Sequence, residues 1–320
     1  MLGRRFYRVK VMQALYSWYL GGENRIEVAE KKLLQSIEKF YELYFLQLSF
    51  FSEIVDFYRR RSEEAKNKFY PTEEELNPNP KFLDNIVVAA IIKNKDLGHQ
   101  VNRYKFSWTD EQEMIRKVFM KLRSSKDLKE YLSDESVTFE KEREIVYKLF
   151  RKYIAKSAEF KSFCEEKDIY WEDDFDLAAL FNQKTIQMIP EQFSEKDHFT
   201  DLFARDEDES ADEVHEFIIQ LFRKTIANSN EYEKMISDKT KNWELERIAL
   251  TDIILIKMAL AELMHFPTIP VKVTMNEYIE ISKNYSTPKS KLFINGILDK
   301  LTDNLTKEKK IRKKGRGLMT

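Results

Sequence analysis

WELERIALTDIILIKMALAELMHFPTIPVKVTMNEYIEISKNYSTPKSKLFINGILDKL, residues 243–301, is the most strongly patterned stretch of the chain. A helix is predicted over about 245–265, where Ile253, Ile256, Leu260, Leu263 and Met264 recur at helical spacing and form one apolar stripe. Pro267 and Pro270 interrupt it, and a second helix is predicted over about 271–284. Thr287-Pro288 reads as an N-cap followed by proline at the first helical position. The helix it opens carries Phe293, Ile294, Ile297, Leu298 and Leu301.

The rest of the chain reads in the same helical terms. Upstream, the acidic stretch DEDESADEVHE (206–216) reads as a linker. Ser210 to Glu213 forms a capping box for a helix over about 211–228. At the start, residues 4–20 read as a helix stopped by Gly21-Gly22, apolar nearly all round from Val9 to Leu20 and therefore expected to be buried there. Its first turns carry Arg4, Arg5 and Arg8 within an arc of about 100°. Residues 25–68 read as one very long helix or two in series. Further helices are predicted over about 82–104, from a Thr109–Gln112 capping box to about 132, and over 139–165. No proline lies between Pro80 and Pro190, which permits long helices. The tail KEKKIRKKGR (307–316) has seven basic residues and one acid, and is expected to be disordered.

Composition agrees. Only 7 glycines and 7 prolines occur in 320 residues, so turn chemistry is scarce and the fold is expected to be all-α. The glycines form neither a dinucleotide fingerprint nor a phosphate loop. One cysteine, Cys164, excludes a disulfide framework and a cysteine zinc site. The four histidines stand at no metal-ligand spacing, so no metal or cofactor is expected. The acidic run WEDDFD (171–176) lacks histidine or glycine neighbours and reads as a helix start, leaving no catalytic constellation. No apolar run approaches the roughly 20 residues of a membrane helix and no signal peptide is evident, so a cytoplasmic protein without membrane contact is expected. Lys and Arg (54) balance Asp and Glu (55), so any nucleic-acid site must be local.

A shift of 72 residues aligns LFRKYIAKSAEFKSFCEEKDIYWE (149–172) with LFRKTIANSNEYEKMISDKTKNWE (221–244). Both copies end in Trp-Glu, at Trp171 and Trp243. The match is read as duplication of a helical unit, with the two tryptophans as equivalent structural residues.

RRFYRVKVMQALYSW (4–18) and residues 243–301 together resemble the NusB family of transcription antitermination factors. The family shows an arginine-rich opening running into a QALY-type segment. Near its end come an IL-K/R-x-A-x-x-EL helix, an IP-x-KV-x-x-NE segment and a closing S-x-x-F-V/I-NG-V/I-LDK segment. The resemblance implies an all-α fold of two small helical bundles and binding of boxA RNA from ribosomal RNA leaders. It also implies pairing with a small-subunit ribosomal protein, NusE, within a transcription complex. The chain is longer than the family's usual length. The expected organisation is residues 1–25 as the first helix of the N-terminal bundle, 26–210 as a helical insertion, 211–304 as the closing helices, and 305–320 as a basic tail.

Arginines at a helix N-terminus oppose the helix dipole, so Arg4, Arg5 and Arg8 call for a compensating anion, which RNA phosphate supplies. The resemblance places Lys289, Ser290, Lys291, Phe293 and Asn295 near a second RNA-contacting edge, with Phe293 either core or a stacking platform. Tyr16 reads as core from the residues and as partner-facing from the resemblance; Glu262 is either an exposed helix glutamate or a partner-facing carboxylate. Asn276 and Glu277 are expected to cap and bond between helices. Val9 stands where the family often has glutamate, and Lys289 where it often has an acid. The NusB-like domain also occurs fused to ribosomal RNA cytosine methyltransferases, but the glycine-rich cofactor domain and catalytic cysteines of those enzymes are missing here. The remaining alternative is an interaction scaffold in which the insertion carries the function.

Overall fold

A computed structural model describes residues 3–22, 25–67, 69–70, 72–199, 211–240 and 248–318. All regular structure among them is helical. In chain order the helices are α1 (Arg4–Gly21), α2 (Ile26–Lys66), α3 (Glu73–Leu76), α4 (Ile86–Ile92), α5 (Lys95–Tyr104), α6 (Gln112–Arg123), α7 (Lys126–Ser133), α8 (Phe139–Leu149), α9 (Ala158–Lys167), α10 (Tyr170–Met188), α11 (Ala211–Ala227), α12 (Ser229–Lys239), α13 (Leu250–His265), α14 (Val271–Tyr285) and α15 (Ser290–Lys307).

Small polar caps cut the proline-free region into shorter helices than its pattern predicts. The Asn85 side chain accepts from Val87 N and Val88 N, Asn94 from Leu97 N, Ser125 from Leu128 N, Thr138 from Lys141 N and Ser157 from Phe160 N. Each satisfies orphan amides and starts a new helix, so the segment 82–104 becomes α4 and α5. The capping box expected at Thr109 does not form its side-chain cap; a 3-10 turn, Thr109–Glu111, leads into α6 instead. Of the two readings of the 25–68 stretch the structure has one helix, α2, of 41 residues from Ile26 to Lys66.

The described residues from Glu38 to 199 form one compact unit; those through Ile37 and from 211 onward form the other. The division falls inside α2, twelve residues beyond the expected boundary at 25/26. The Glu38–199 unit has an aromatic core. The Phe50 and Phe160 rings stack at 4.0 Å, and Trp108 lies 5.1 Å from Phe50 and donates to Ser49 Oγ at 2.9 Å. A buried polar string accompanies it: Tyr44 OH meets Thr185 Oγ1 at 2.9 Å, Asn182 donates to Tyr44 O and Gln47 Oε1, and Gln47 donates to Phe175 O. Trp171 is buried, and its Nε1 donates to Lys39 O at 3.0 Å.

In the other unit α13 is the central helix, packed against α1, α11, α12, α14 and α15. Every residue from Ile254 to Leu263 is buried, so the single expected stripe is a helix enclosed on all sides.

The two repeats share a helix–break–helix pattern. α9 ends at Lys167 and α12 at Lys239, 72 residues on; the second break, at Asn228, falls in register with the first, Ala155–Ser157. Leu149 and Leu221, Phe150 and Phe222, Phe160 and Tyr232, and Cys164 and Ile236 are all fully buried. The copies differ at Phe150–Ile154, a π-helical turn in the first and part of α11 in the second. Ser210 and Trp243 lie outside the described residues.

Candidate nucleic-acid interface

α1 starts at Arg4 because Gly3 is extended, and ends where Gly22 takes φ +63°. Its burial meets the expectation at Val9, Val11, Met12 and Leu15, but extends back to Phe6 and Arg8 and stops short of Tyr16. The basic first half, from Phe6 to Met12, is buried, whereas Tyr16, Ser17 and Leu20 are exposed. The cause is α13. The Arg8 guanidinium donates to both Glu262 carboxylate oxygens at 2.8 and 2.7 Å, and both side chains are almost wholly buried. Glu262 also accepts from Thr274 Oγ1 at 2.7 Å and Tyr278 OH at 3.0 Å, both on α14. Burial alone would raise the Glu262 carboxyl, but the charge of Arg8 and these three donors hold it below the usual carboxylate range. Burial raises the Tyr278 phenol well above its ordinary value.

Two expectations are corrected here. Arg8 is not part of an exposed basic head, and Glu262 is not an exposed carboxylate; each is buried against the other. The anion that Arg8 requires is Glu262, supplied by the buried central helix. Arg5 is half-exposed and bound to Glu277, with Nε–Oε2 at 2.9 Å and Nη2–Oε1 at 2.6 Å; these bonds raise its pKa. Glu277 thus bonds α14 to α1, and its neighbour Asn276 is exposed. Arg4 lies 5.0 Å over the Phe217 ring, which packs at 5.3 Å on Phe266. Lys10 is buried beside Phe6.

The second group starts α15. Ser290 is buried and donates to Asp252 Oδ2 at 2.7 Å, while Ser286 donates to Asp252 Oδ1 at 2.5 Å. Ser290 therefore pins α15 to the start of α13 and does not present its hydroxyl to RNA. Thr287 and Pro288 form the turn before α15, which begins two residues later than the cap pattern predicts. Lys289, Lys291 and Asn295 are exposed, Asn295 bonding Asp299 at 3.1 Å, and Phe293 is half-buried. Arg8 joins α13 at position 262 and Ser290 joins it at 252. These two attachment points therefore lie about 15 Å apart along the helix axis, at 1.5 Å per residue.

The tail beyond α15 is placed, contrary to the expected disorder. Lys313 Nζ donates to Phe266 O at 2.9 Å, and Lys314 N donates to Pro267 O at 2.9 Å. Gly317 is buried so close to Pro267 that a Cβ on it would lie 2.0 Å from the Pro267 carbonyl oxygen. Partial burial pushes the Lys313 ammonium down to about 8 against an opposing pull from Glu262. Gly317 was the one signal of this docking that the sequence carried.

Among the described residues no group of histidine, cysteine or acidic side chains could hold a metal ion, and no helix is long and apolar enough to cross a membrane. Fold and site define an all-helical protein whose terminal segments gather basic side chains at the two ends of a buried central helix. The NusB family model matches residues 177–303. That match begins inside α10, earlier than the expected start at 211, and does not include α1. A transcription antitermination protein NusB of Salinibacter ruber is 41% identical over 114 residues, 36% of this chain and 69% of the relative. Those of Koribacter versatilis and Chloroherpeton thalassium are 37% and 40% identical over 114 residues, covering 78% and 54% of the relatives. No solved structure matches. The chain belongs to the NusB family.

Proposed function

We propose that this chain is a transcription antitermination factor, which is what its relatives are named. It binds single-stranded boxA-like RNA of ribosomal RNA operons together with the small-subunit ribosomal protein NusE, and is not an enzyme. The observation that carries the RNA reading is the pair of basic groups on segments attached to α13 at points about 15 Å apart along its axis. Arg4 and Arg5 stand at one end and Lys289 and Lys291 at the other, a spacing that a single strand can bridge. These four contact phosphates, which fix register without reading sequence. Asn295 and the half-buried Phe293 stand beside the second group for hydrogen bonding and stacking on bases. Tyr16, 42% exposed, supplies an amphipathic contact for the protein partner. Fluorescence anisotropy of labelled boxA-like RNA, with the full chain alone and with purified NusE, tests the reading. Saturable binding tightened by NusE is expected; binding that is absent, or indifferent to NusE, contradicts it.

A further inference from the structure

The segment 307–316 carries seven cations, of which Lys307, Lys309, Lys310, Arg312, Lys314 and Arg316 are exposed. Helix C-termini favour nearby cations, but one suffices to cap a terminus, and here Lys313 does so through Phe266 O and, at 3.4 Å, Glu262 O. The single acid, Glu308, pairs with Lys310 at 3.0 Å. Contacts with the end of α13 and the turn after it fix the segment: Lys313 on Phe266 O and Glu262 O, Lys314 N on Pro267 O, and the close approach of Gly317 to Pro267. The docking point belongs to the α1 head. The Phe266 ring packs on Phe217, over which Arg4 lies, and Glu262 holds Arg8.

We propose that residues 308–318 are a fixed part of the RNA-binding surface, holding Arg312, Lys314 and Arg316 beside the α1 head as additional phosphate contacts. The proposal rests on the RNA reading above and adds a binding edge to it. Docking makes the edge effective, because cations already held in place lose little freedom when RNA arrives.

The test uses the full chain and a single-stranded oligouridine probe, with helicity checked by circular dichroism. Replacing Arg312→Gln, Lys314→Gln and Arg316→Gln together is expected to make the log Kd against log salt slope about two units shallower, at about 0.7 per contact. Gly317→Val keeps every charge but forces the segment off Pro267, and is expected to weaken binding at least about threefold. A wild-type slope in the triple variant, while Arg4→Gln/Arg5→Gln makes the slope shallower, overturns the tail proposal and leaves the RNA reading standing. A wild-type slope in both sets overturns the RNA reading with it. Wild-type affinity in Gly317→Val shows that placement is immaterial and overturns the fixed edge.

Discussion

Replacing Arg8 by methionine should damage the α1, α11–α15 unit far more than replacing any exposed arginine. Methionine restores the length and apolar stem of the side chain and removes the charge and both hydrogen bonds to Glu262. A wholly buried carboxylate then remains with two neutral donors, Thr274 and Tyr278. Breaking a buried pair from one side costs about 3–5 kcal/mol. Adding Glu262→Met removes the stranded charge but orphans the two α14 hydroxyls, at about 1–3 kcal/mol each. The double variant should therefore fall well short of the sum of the singles, with a coupling of about 2 kcal/mol or more. Hydrogen exchange of the α13 amides reads this unit alone and avoids a two-state assumption for a chain with two compact units. A loss under about 1 kcal/mol for Arg8→Met, or strict additivity in the double variant, would refute the buried-pair reasoning.

Acid sensitivity should follow the same pair. Because the folded Glu262 carboxyl titrates below its ordinary range, its contribution is present above the unfolded value and is lost as pH falls through the folded one. α13 protection should accordingly drop more steeply below about pH 4.5 in the wild type than in Glu262→Gln. Lys313 runs the other way: its folded value is depressed to about 8, so the unfolded state holds more protons between that value and the ordinary lysine range. Stability should rise with pH across that window and flatten in Lys313→Met, measured as exchange of the Lys314 and Gly317 amides. Trp171→Ala should cost on the order of 3–5 kcal/mol, read as loss of protection in α9 and α10, since it removes a buried ring and its bond to Lys39 O. Ser290→Ala should cost about 1–3 kcal/mol by leaving Asp252 short of a donor, with the salt dependence of RNA binding unchanged.

The all-helical class, the extent of α2 and the stop at Gly21-Gly22 were legible because periodicity and glycine act locally. The cuts at Asn94, Ser125 and Ser157 were not, because a polar residue inside a helical pattern becomes a cap only when its side chain turns back to the amides. The repeat was legible down to the register of its breaks. What failed was the side on which charged residues lie. Arg8, Glu262 and Ser290 are types that normally face water, and all three are buried through pairings on α13 across 38 to 254 residues of sequence. No local spacing reveals such a pairing. An enclosed helix with Glu262 near one end and Asp252 near the other binds α1 and α15 by their own polar residues.

The most direct measurement is the salt dependence of boxA-like RNA binding by the full chain and two variants. Arg4→Gln/Arg5→Gln should make the log Kd against log salt slope shallower by about 1.4, two contacts at about 0.7 each, while Arg8→Met leaves it unchanged among molecules that remain folded. An unchanged slope in the first variant, or a slope lost with Arg8 instead, would contradict the assignment of the exposed head to RNA and the buried arginine to the core.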